Sequence, residues 1–84
     1  MKKNKDVIAG LGEIGIPLKK LFSKNTIIEG YDANKKLINL KETKFTESFD
    51  TRFLHICIPF NENFIKSVKK LIRKFDPECA IIHS

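Results

Sequence analysis

Apolar residues in this chain form short continuous runs that are separated by stretches with helical spacing. Continuous apolar runs of this length, bounded by turn residues, predict β-strands. The runs that predict strands are Asp6–Ala9, Thr26–Asp32, Phe53–Ile58 and Cys79–Ile82. The third run predicts a strand that is buried on both faces, and Pro59 ends it.

Two longer stretches have apolar residues three and four positions apart, which predicts one buried helix face in each. The first face consists of Ile14, Leu18, Leu21 and Phe22. The second consists of Phe64, Ile65, Val68, Leu71, Ile72 and Phe75, and Asp76–Pro77 ends that helix. Between these stretches, 34–40 predicts a short helix and 43–46 a brief strand.

Strands that alternate with helices at this spacing predict βαβ units with a parallel sheet. We therefore expect an α/β fold over 1–84, a Rossmann-like parallel sheet with flanking helices that is incomplete at about five strands. With the brief strand at 43–46 included, the predicted order is third, second, first, fourth, fifth. This order puts the turn after the first strand at the switch point, where such sheets bind ligands.

That turn carries a G-x-G-x-x-G motif between the first strand and the first helix. In such a motif, Gly10 takes the tight turn, Gly12 lets a pyrophosphate approach the backbone, and Gly15 lets the helix pack close to the sheet. Asp32, at the end of the second strand, can accept both hydroxyl protons of an adenosine ribose and would repel the 2′-phosphate of NADP. The motif favours NAD, unless the glycines only form a turn and Asp32 only caps the next helix.

Four segments together resemble the NAD-binding domain of the UDP-glucose/GDP-mannose dehydrogenase family, in content and in order. They are 7–18 (VIAGLGEIGIPL), 30–32 (GYD), 56–59 (ICIP) and 81–84 (IIHS). The resemblance implies that the backbone amides of 12–14 hold the pyrophosphate and that Asp32 holds the ribose. It also implies that Ile58 and Pro59 line the cofactor and that His83 and Ser84 begin a segment near the nicotinamide. The cofactor site expected from motif and resemblance is Gly10, Leu11, Gly12, Glu13, Ile14, Gly15, Asp32, Ile58, Pro59 and Ser84.

The chain departs from the family in three respects. Family members continue for several hundred residues, and their catalytic cysteine, lysine and asparagine lie in that later part, so Cys57 cannot inherit the catalytic role. Glu13 stands where the family has an aromatic residue, and its carboxylate would repel a pyrophosphate at the helix N-terminus. Phe60 and Asn61 replace the family's second proline. We expect the cofactor-binding part of an oxidoreductase, inactive alone, with a homo-oligomer or a completing partner chain as possible partners.

The composition adds limits on partners and compartment. The 84 residues carry a net charge of +6, but the lysines are scattered, so we expect solvated faces rather than a nucleic-acid surface. No apolar run is long enough to span a membrane, and no signal peptide is recognisable, which favours the cytoplasm. Cys57 and Cys79 are expected to be reduced and buried.

Two histidines lie in or next to apolar runs. We expect His55 to be a hydrogen-bonded core residue rather than a catalytic base, whereas His83 could lie near a bound cofactor. No Cys or His pair has zinc-ligand spacing, so no metal is expected. The alternative to an oxidoreductase fragment is a non-enzymatic protein that senses a nucleotide or binds a polyanion through its lysines.

Overall fold

Four parallel strands form a single sheet, in a computed structural model that describes residues 3–12, 15–22 and 27–83. The strands are β1 (Asn4–Ala9), β2 (Ile28–Tyr31), β3 (Asp50–Ile56) and β4 (Cys79–Ile82). Their order is β2-β1-β3-β4, and every neighbouring pair is parallel. The α/β fold with a parallel sheet is therefore confirmed, and β1 lies inside the sheet with β2 on one side and β3 on the other.

Helices cover both faces of this sheet. They are α1 (Gly15–Phe22), α2 (Leu40–Thr46) and α3 (Phe64–Phe75), with a short 3₁₀ turn at Lys35–Leu37. One apolar cluster joins the α3 side of the sheet to that helix, and it contains Val7, Ala9, Leu54, Ile56 and Leu71. On the opposite face, Ile8, Leu11 and Ile28 pack against Leu18 of α1.

The predicted brief strand at 43–46 is wrong, and the sheet has four strands instead of about five. These residues form most of α2, because Asn39 starts a helix just before them. The Asn39 side chain accepts a hydrogen bond from the backbone N–H of Lys41 at 3.1 Å, and its carbonyl accepts from Thr43 N–H at 3.0 Å. A local cap thus outweighs the weak β propensity of Thr43 and Phe45. The remaining strand order is as predicted.

The predicted short helix at 34–40 is confirmed only over Lys35–Leu37, as a 3₁₀ turn. Asn34 accepts a hydrogen bond from Lys36 N–H, but only a single 3₁₀ turn follows, and Ile38 is extended. The predicted strand at 53–58 in fact begins at Asp50 and ends at Ile56. Within 27–32, the second predicted strand is confirmed only over Ile28–Tyr31, and Thr26 lies outside the described residues.

The predicted first and last residues of α3 and of β4 are confirmed, because in both segments the sequence signals agree with each other. Beyond Phe75, Asp76 adopts a left-handed conformation with φ 45°, and its N–H donates to the carbonyl of Ile72 at 2.8 Å. This bond closes the last turn of α3, and Pro77 cannot continue it. β4 then runs from Cys79 to Ile82 along β3.

A buried lysine links α2 to the sheet. Lys5 and Glu29 are about 95% buried and form an ion pair, in which the Lys5 Nζ lies 2.5 Å from the Glu29 Oε2. The same Nζ donates to the carbonyl of Thr46, the last residue of α2, at 2.8 Å. A cation at a helix C-terminus is favoured by the helix dipole, so this contact fixes where α2 ends.

Both cysteines are free thiols, but the expectation that they are buried is wrong. Cys57 is only partly buried, and burial raises the pKa of its thiol. Cys79 is exposed because it starts β4, at the edge of the sheet, where little packs over it. Within the described part of the chain, no helix is long and apolar enough to cross a membrane.

Candidate functional site

Two glycines of the G-x-G-x-x-G motif are required by the fold itself. Gly10 has φ +94°, and a Cβ there would lie 2.6 Å from the carbonyl oxygen of Cys57. A Cβ on Gly15 would collide with the carbonyl oxygen of Gly10. A side chain at either position would force the backbone to move, so the turn between β1 and α1 needs both glycines.

Gly12 is different, because nothing in the described structure requires a glycine there. Its φ is not positive, and a Cβ would have no heavy atom of the described residues within 4 Å. Its carbonyl accepts a hydrogen bond at 3.2 Å from the N–H of Ile16, which lies in the first turn of α1. The backbone of Gly12 faces open space, and a ligand could approach it there without meeting a side chain at this position.

Asp32 ties this glycine turn to the end of β2. Its Oδ2 accepts a hydrogen bond from the backbone N–H of Leu11 at 2.6 Å, and its Oδ1 accepts from Asn34 N–H at 2.7 Å. Both contacts are short, as expected when the acceptor carries a charge. A carboxylate has about four lone-pair sites, so each oxygen keeps capacity for one further donor.

A cleft of about 1110 Å³ opens at the carboxyl ends of the strands and continues along the α3 side of the sheet. Its floor contains Ala9, Tyr31 and Leu71, and its mouth is bordered by Gly12, Asp32 and Pro59. The volume slightly exceeds the roughly 300–1000 Å³ of ordinary small-molecule sites. An apolar floor with a few polar groups at the rim is the usual composition of such sites.

One wall of the cleft is the polar flank of α3 and the turn before it. Asn63, Ser67, Lys70 and Lys74 follow one another at helical spacing along this wall. The Lys74 Nζ lies 5.2 Å from the centre of the Tyr31 ring, a cation–π distance, so the ammonium group stands over the cleft floor. The two lysines make this wall cationic and favour an anionic ligand.

Comparison with protein-family models, curated proteins and solved structures gives no match for this chain. What the cleft binds must therefore be inferred from its own residues. Their arrangement combines a backbone open to a ligand at Gly12, a carboxylate with free acceptor capacity at Asp32, and a cationic wall. Such a set suits a ligand that carries both phosphate and hydroxyl groups.

The predicted site residues fall into three groups. Gly10, Gly12, Asp32, Ile58 and Pro59 all border the cleft. Leu11 and Gly15 do not: Leu11 directs its side chain into the core on the α1 side, and Gly15 packs under the turn. The remaining predicted residues lie outside the described part of the chain, and they are Glu13, Ile14 and Ser84.

A histidine pair stands beside the cleft. His55 is 6% exposed, and its Nδ1 lies 3.0 Å from the Nε2 of His83, which borders the cleft. His55 is thus the hydrogen-bonded core residue that the sequence predicts. Burial and the neighbouring His83 lower the pKa of His55, while Asp6 opposes this shift. A neutral His55 can share one proton with His83, but two protonated rings would repel each other.

The sequence analysis missed the α3 wall and the bridging role of Asp32. A signal for the wall exists, because Ser67, Lys70 and Lys74 are spaced by three and four on the face opposite Ile65 and Ile72. No local signal exists for the contact between Asp32 and Leu11. It depends on the positive φ of Gly10, which turns the following amide towards β2.

Proposed function

We propose that the cleft binds NAD and that the chain is the NAD-binding portion of an oxidoreductase resembling the nucleotide-sugar 6-dehydrogenases. The observation that carries the proposal is Gly12. Gly10 and Gly15 are explained by the packing of the protein, whereas neither conformation nor packing against the described residues explains Gly12. Close approach of a pyrophosphate to the backbone of Gly12, just before α1, supplies the missing reason.

The chemistry of Asp32 fits the adenosine ribose. Its two oxygens each hold one backbone donor and can each accept one ribose hydroxyl as well. A 2′-phosphate at the same place would meet a negative charge at hydrogen-bond distance, which costs more than the hydroxyl contact gains. The proposed cofactor is therefore NAD rather than NADP.

The cationic wall of α3 suits the charge of a dinucleotide. Lys70 and Lys74 border the same cleft as Gly12 and Asp32, and their charges attract the pyrophosphate and offset the carboxylate. NAD, when bound, supplies a hydride acceptor. The residues of this chain would bind and orient it, and the nucleophile and sugar pocket that oxidation requires would come from elsewhere.

The test is an NMR titration of the isolated chain with ADP-ribose, which carries the pyrophosphate and both riboses. We expect amide shifts at Gly12 and around Asp32, with an affinity of about −4 to −6 kcal/mol, or tens of micromolar to millimolar. If millimolar ADP-ribose moves no amide in this region, the proposal is wrong. Mixing the chain with NAD and either UDP-glucose or GDP-mannose should produce no NADH.

The Gly12→Ala variant tests the observation that carries the proposal. A Cβ at this position meets no described atom of the protein, so the free energy of unfolding should stay the same or rise by up to about 1 kcal/mol. Binding of ADP-ribose should weaken about tenfold or more, because the Cβ stands where the pyrophosphate must lie. Adenosine, which lacks the pyrophosphate, is the matched ligand control and should bind both proteins equally.

A second candidate, general polyanion binding, is favoured by the same α3 lysines and the net charge of +6. Salt separates the two functions. Binding to a nucleic acid weakens steeply with salt because counterions are released, whereas binding of ADP-ribose through Gly12 and Asp32 falls only modestly. A Gly12→Ala variant that binds ADP-ribose like the parent, together with a steep salt dependence, would favour the polyanion function.

A further inference from the structure

β4 is the last strand of the sheet, and its outer edge has no neighbour among the described residues. All four of its residues are exposed, and all four are uncharged. Ile81 is 37% exposed and Ile82 54% exposed, on opposite faces of the strand. Soluble proteins usually protect such an edge with lysine, proline or a bulge, and β4 contains none of these.

The backbone groups that point outwards from β4 can be identified. His83 N–H donates to the carbonyl of Ile56 on β3 at 2.9 Å. Backbone groups of successive residues alternate between the two edges of a strand, so Ala80 and Ile82 direct their N–H and C=O groups away from β3. The backbone N–H and C=O groups of these two residues are therefore available for hydrogen bonds at the outer edge of β4.

An apolar flank of α3 extends this edge on one face of the sheet. Ile65 and Ile72, two helical turns apart, are 65% and 40% exposed. They lie on the opposite flank of α3 from Lys74, whose ammonium stands over Tyr31 of β2. Because β2 and β4 are at opposite ends of the sheet, the isoleucine flank lies on the β4 side, the same face as Ala80 and Ile82. Strand edge and helix flank form one apolar surface.

We propose that this surface binds a second copy of the chain, with the two β4 strands pairing antiparallel about a two-fold axis. The axis passes between Ile81 and its counterpart in the other copy, so that Ala80 stands opposite Ile82 of the other copy. Each such residue pair exchanges both backbone hydrogen bonds, which satisfies all the outward-pointing groups of β4. The two sheets then join into one continuous sheet, with both α3 helices on the same face.

The strand is complementary to itself in charge and in size. It carries no charge, so pairing two copies puts no like charges opposite each other within it. The small Ala80 faces the large Ile82 across the pair, which leaves room for the isoleucines of α3.

The test is light scattering after size-exclusion chromatography, over concentrations from about 10 μM to about 1 mM. We expect the mass to rise from that of a monomer to twice that value and to stop there, because a two-fold interface is closed. Higher salt should strengthen association, since each copy carries a net charge of +6. A monomer throughout the range, or growth beyond a dimer, would overturn the proposal.

The Ala80→Pro variant tests the strand pairing directly. Proline removes the outward N–H of Ala80, and the β3–β4 ladder does not use that group, so the fold should persist. The dissociation constant of the dimer should rise about tenfold or more. Hydrogen exchange gives a second readout: the Ala80 and Ile82 amides of the parent should become protected as concentration rises. In a folded Ala80→Pro variant, we expect this concentration-dependent protection to be lost. A dimer whose dissociation constant is unchanged would refute the pairing.

A charge pair of variants covers the case in which proline disturbs the fold. Ile82→Lys puts a charge on the proposed interface, whereas Leu40→Lys puts the same charge on an equally apolar residue, 67% exposed, at the start of α2. Ile82→Lys should abolish the dimer at about 1 mM, and Leu40→Lys should leave its dissociation constant within about twofold. Equal effects of the two variants would show that the dimer does not form through β4.

Discussion

Replacing Asp32 with alanine should destabilise the protein even when no ligand is present. The carboxylate holds two backbone amides, Leu11 N–H at 2.6 Å and Asn34 N–H at 2.7 Å. Alanine removes both acceptors at once. The glycine turn and the end of β2 then lose the side-chain hydrogen bond that joins them.

The size of the effect follows from the burial of the two donors. Leu11 is 2% exposed, so its amide finds no water in place of the carboxylate, and a buried donor left unpaired costs about 1–3 kcal/mol. Asn34 is exposed, and water can replace its lost acceptor at little cost. We therefore expect Asp32→Ala to lower the free energy of unfolding by about 1.5–3 kcal/mol, nearly all of it through Leu11.

Chemical denaturation followed by circular dichroism measures this change. In a domain of this size, each kcal/mol corresponds to about 4–8 °C in Tm, so the melting point should fall by roughly 6–24 °C. Asp32→Asn should lose less, because the amide oxygen can still accept from Leu11. Glu47→Ala is the matched control: it removes an exposed carboxylate with no polar side-chain contact among the described residues, and should change stability by less than about 0.5 kcal/mol.

A loss of less than about 0.5 kcal/mol in Asp32→Ala would refute this reasoning, since it would mean that the Leu11 amide finds another acceptor. A loss in Asp32→Asn equal to that in Asp32→Ala would show that charge, rather than acceptor geometry, is what matters. Stability and binding can be separated at this position. The stability loss is measured without ligand, whereas loss of the ribose contact appears only in titrations with ADP-ribose.

Three further predictions concern stability. Gly15→Ala should cost about 1–3 kcal/mol because its Cβ meets backbone, whereas Gly12→Ala should cost nothing; equal losses in thermal melts would refute this distinction. Lys5→Ala should cost about 3–5 kcal/mol in urea unfolding because Glu29 stays buried without its cation, and a double Lys5→Met/Glu29→Leu variant should recover most of this loss. The pKa of His55 is lowered in the folded state, so the unfolded chain binds more protons: stability should fall as the pH drops below about 6.5, and a His55→Gln variant should show a flatter pH profile.

The sequence predicts the fold well wherever one strong signal dominates. α3 has an apolar stripe, a polar face and a proline just beyond its end, and β4 is a compact apolar run, so the bounds of both are predicted correctly. The region at 34–46 has no such signal. There the caps at Asn34 and Asn39 and the long-range contact from Lys5 to Thr46 decide the structure, and none of these has a periodicity to detect.

The candidate site is predictable in part for a related reason. A short motif identifies Gly10, Gly12 and Asp32, because a strand–turn–helix unit places such residues at one edge of the sheet. The Asp32–Leu11 contact and the position of Lys74 over Tyr31 arise only once α3 and the turn are placed in three dimensions. Spacing along a helix can suggest which residues share a wall, but the neighbouring strand determines what that wall faces.

The central place of β1 has a consequence for how the chain folds. Val7 aligns with Glu29 on one side and with Leu54 on the other, so β1, which is synthesised before the other three strands of this sheet, pairs with a strand more than 40 residues later. Non-local parallel pairing makes folding slow compared with that of helical proteins of similar size. During translation, β1 can pair only with β2 until β3 has left the ribosome. Substitutions in β3 that weaken its pairing with Val7, Ile8 or Ala9 should therefore lengthen the time during which the apolar faces of β1 are open to aggregation.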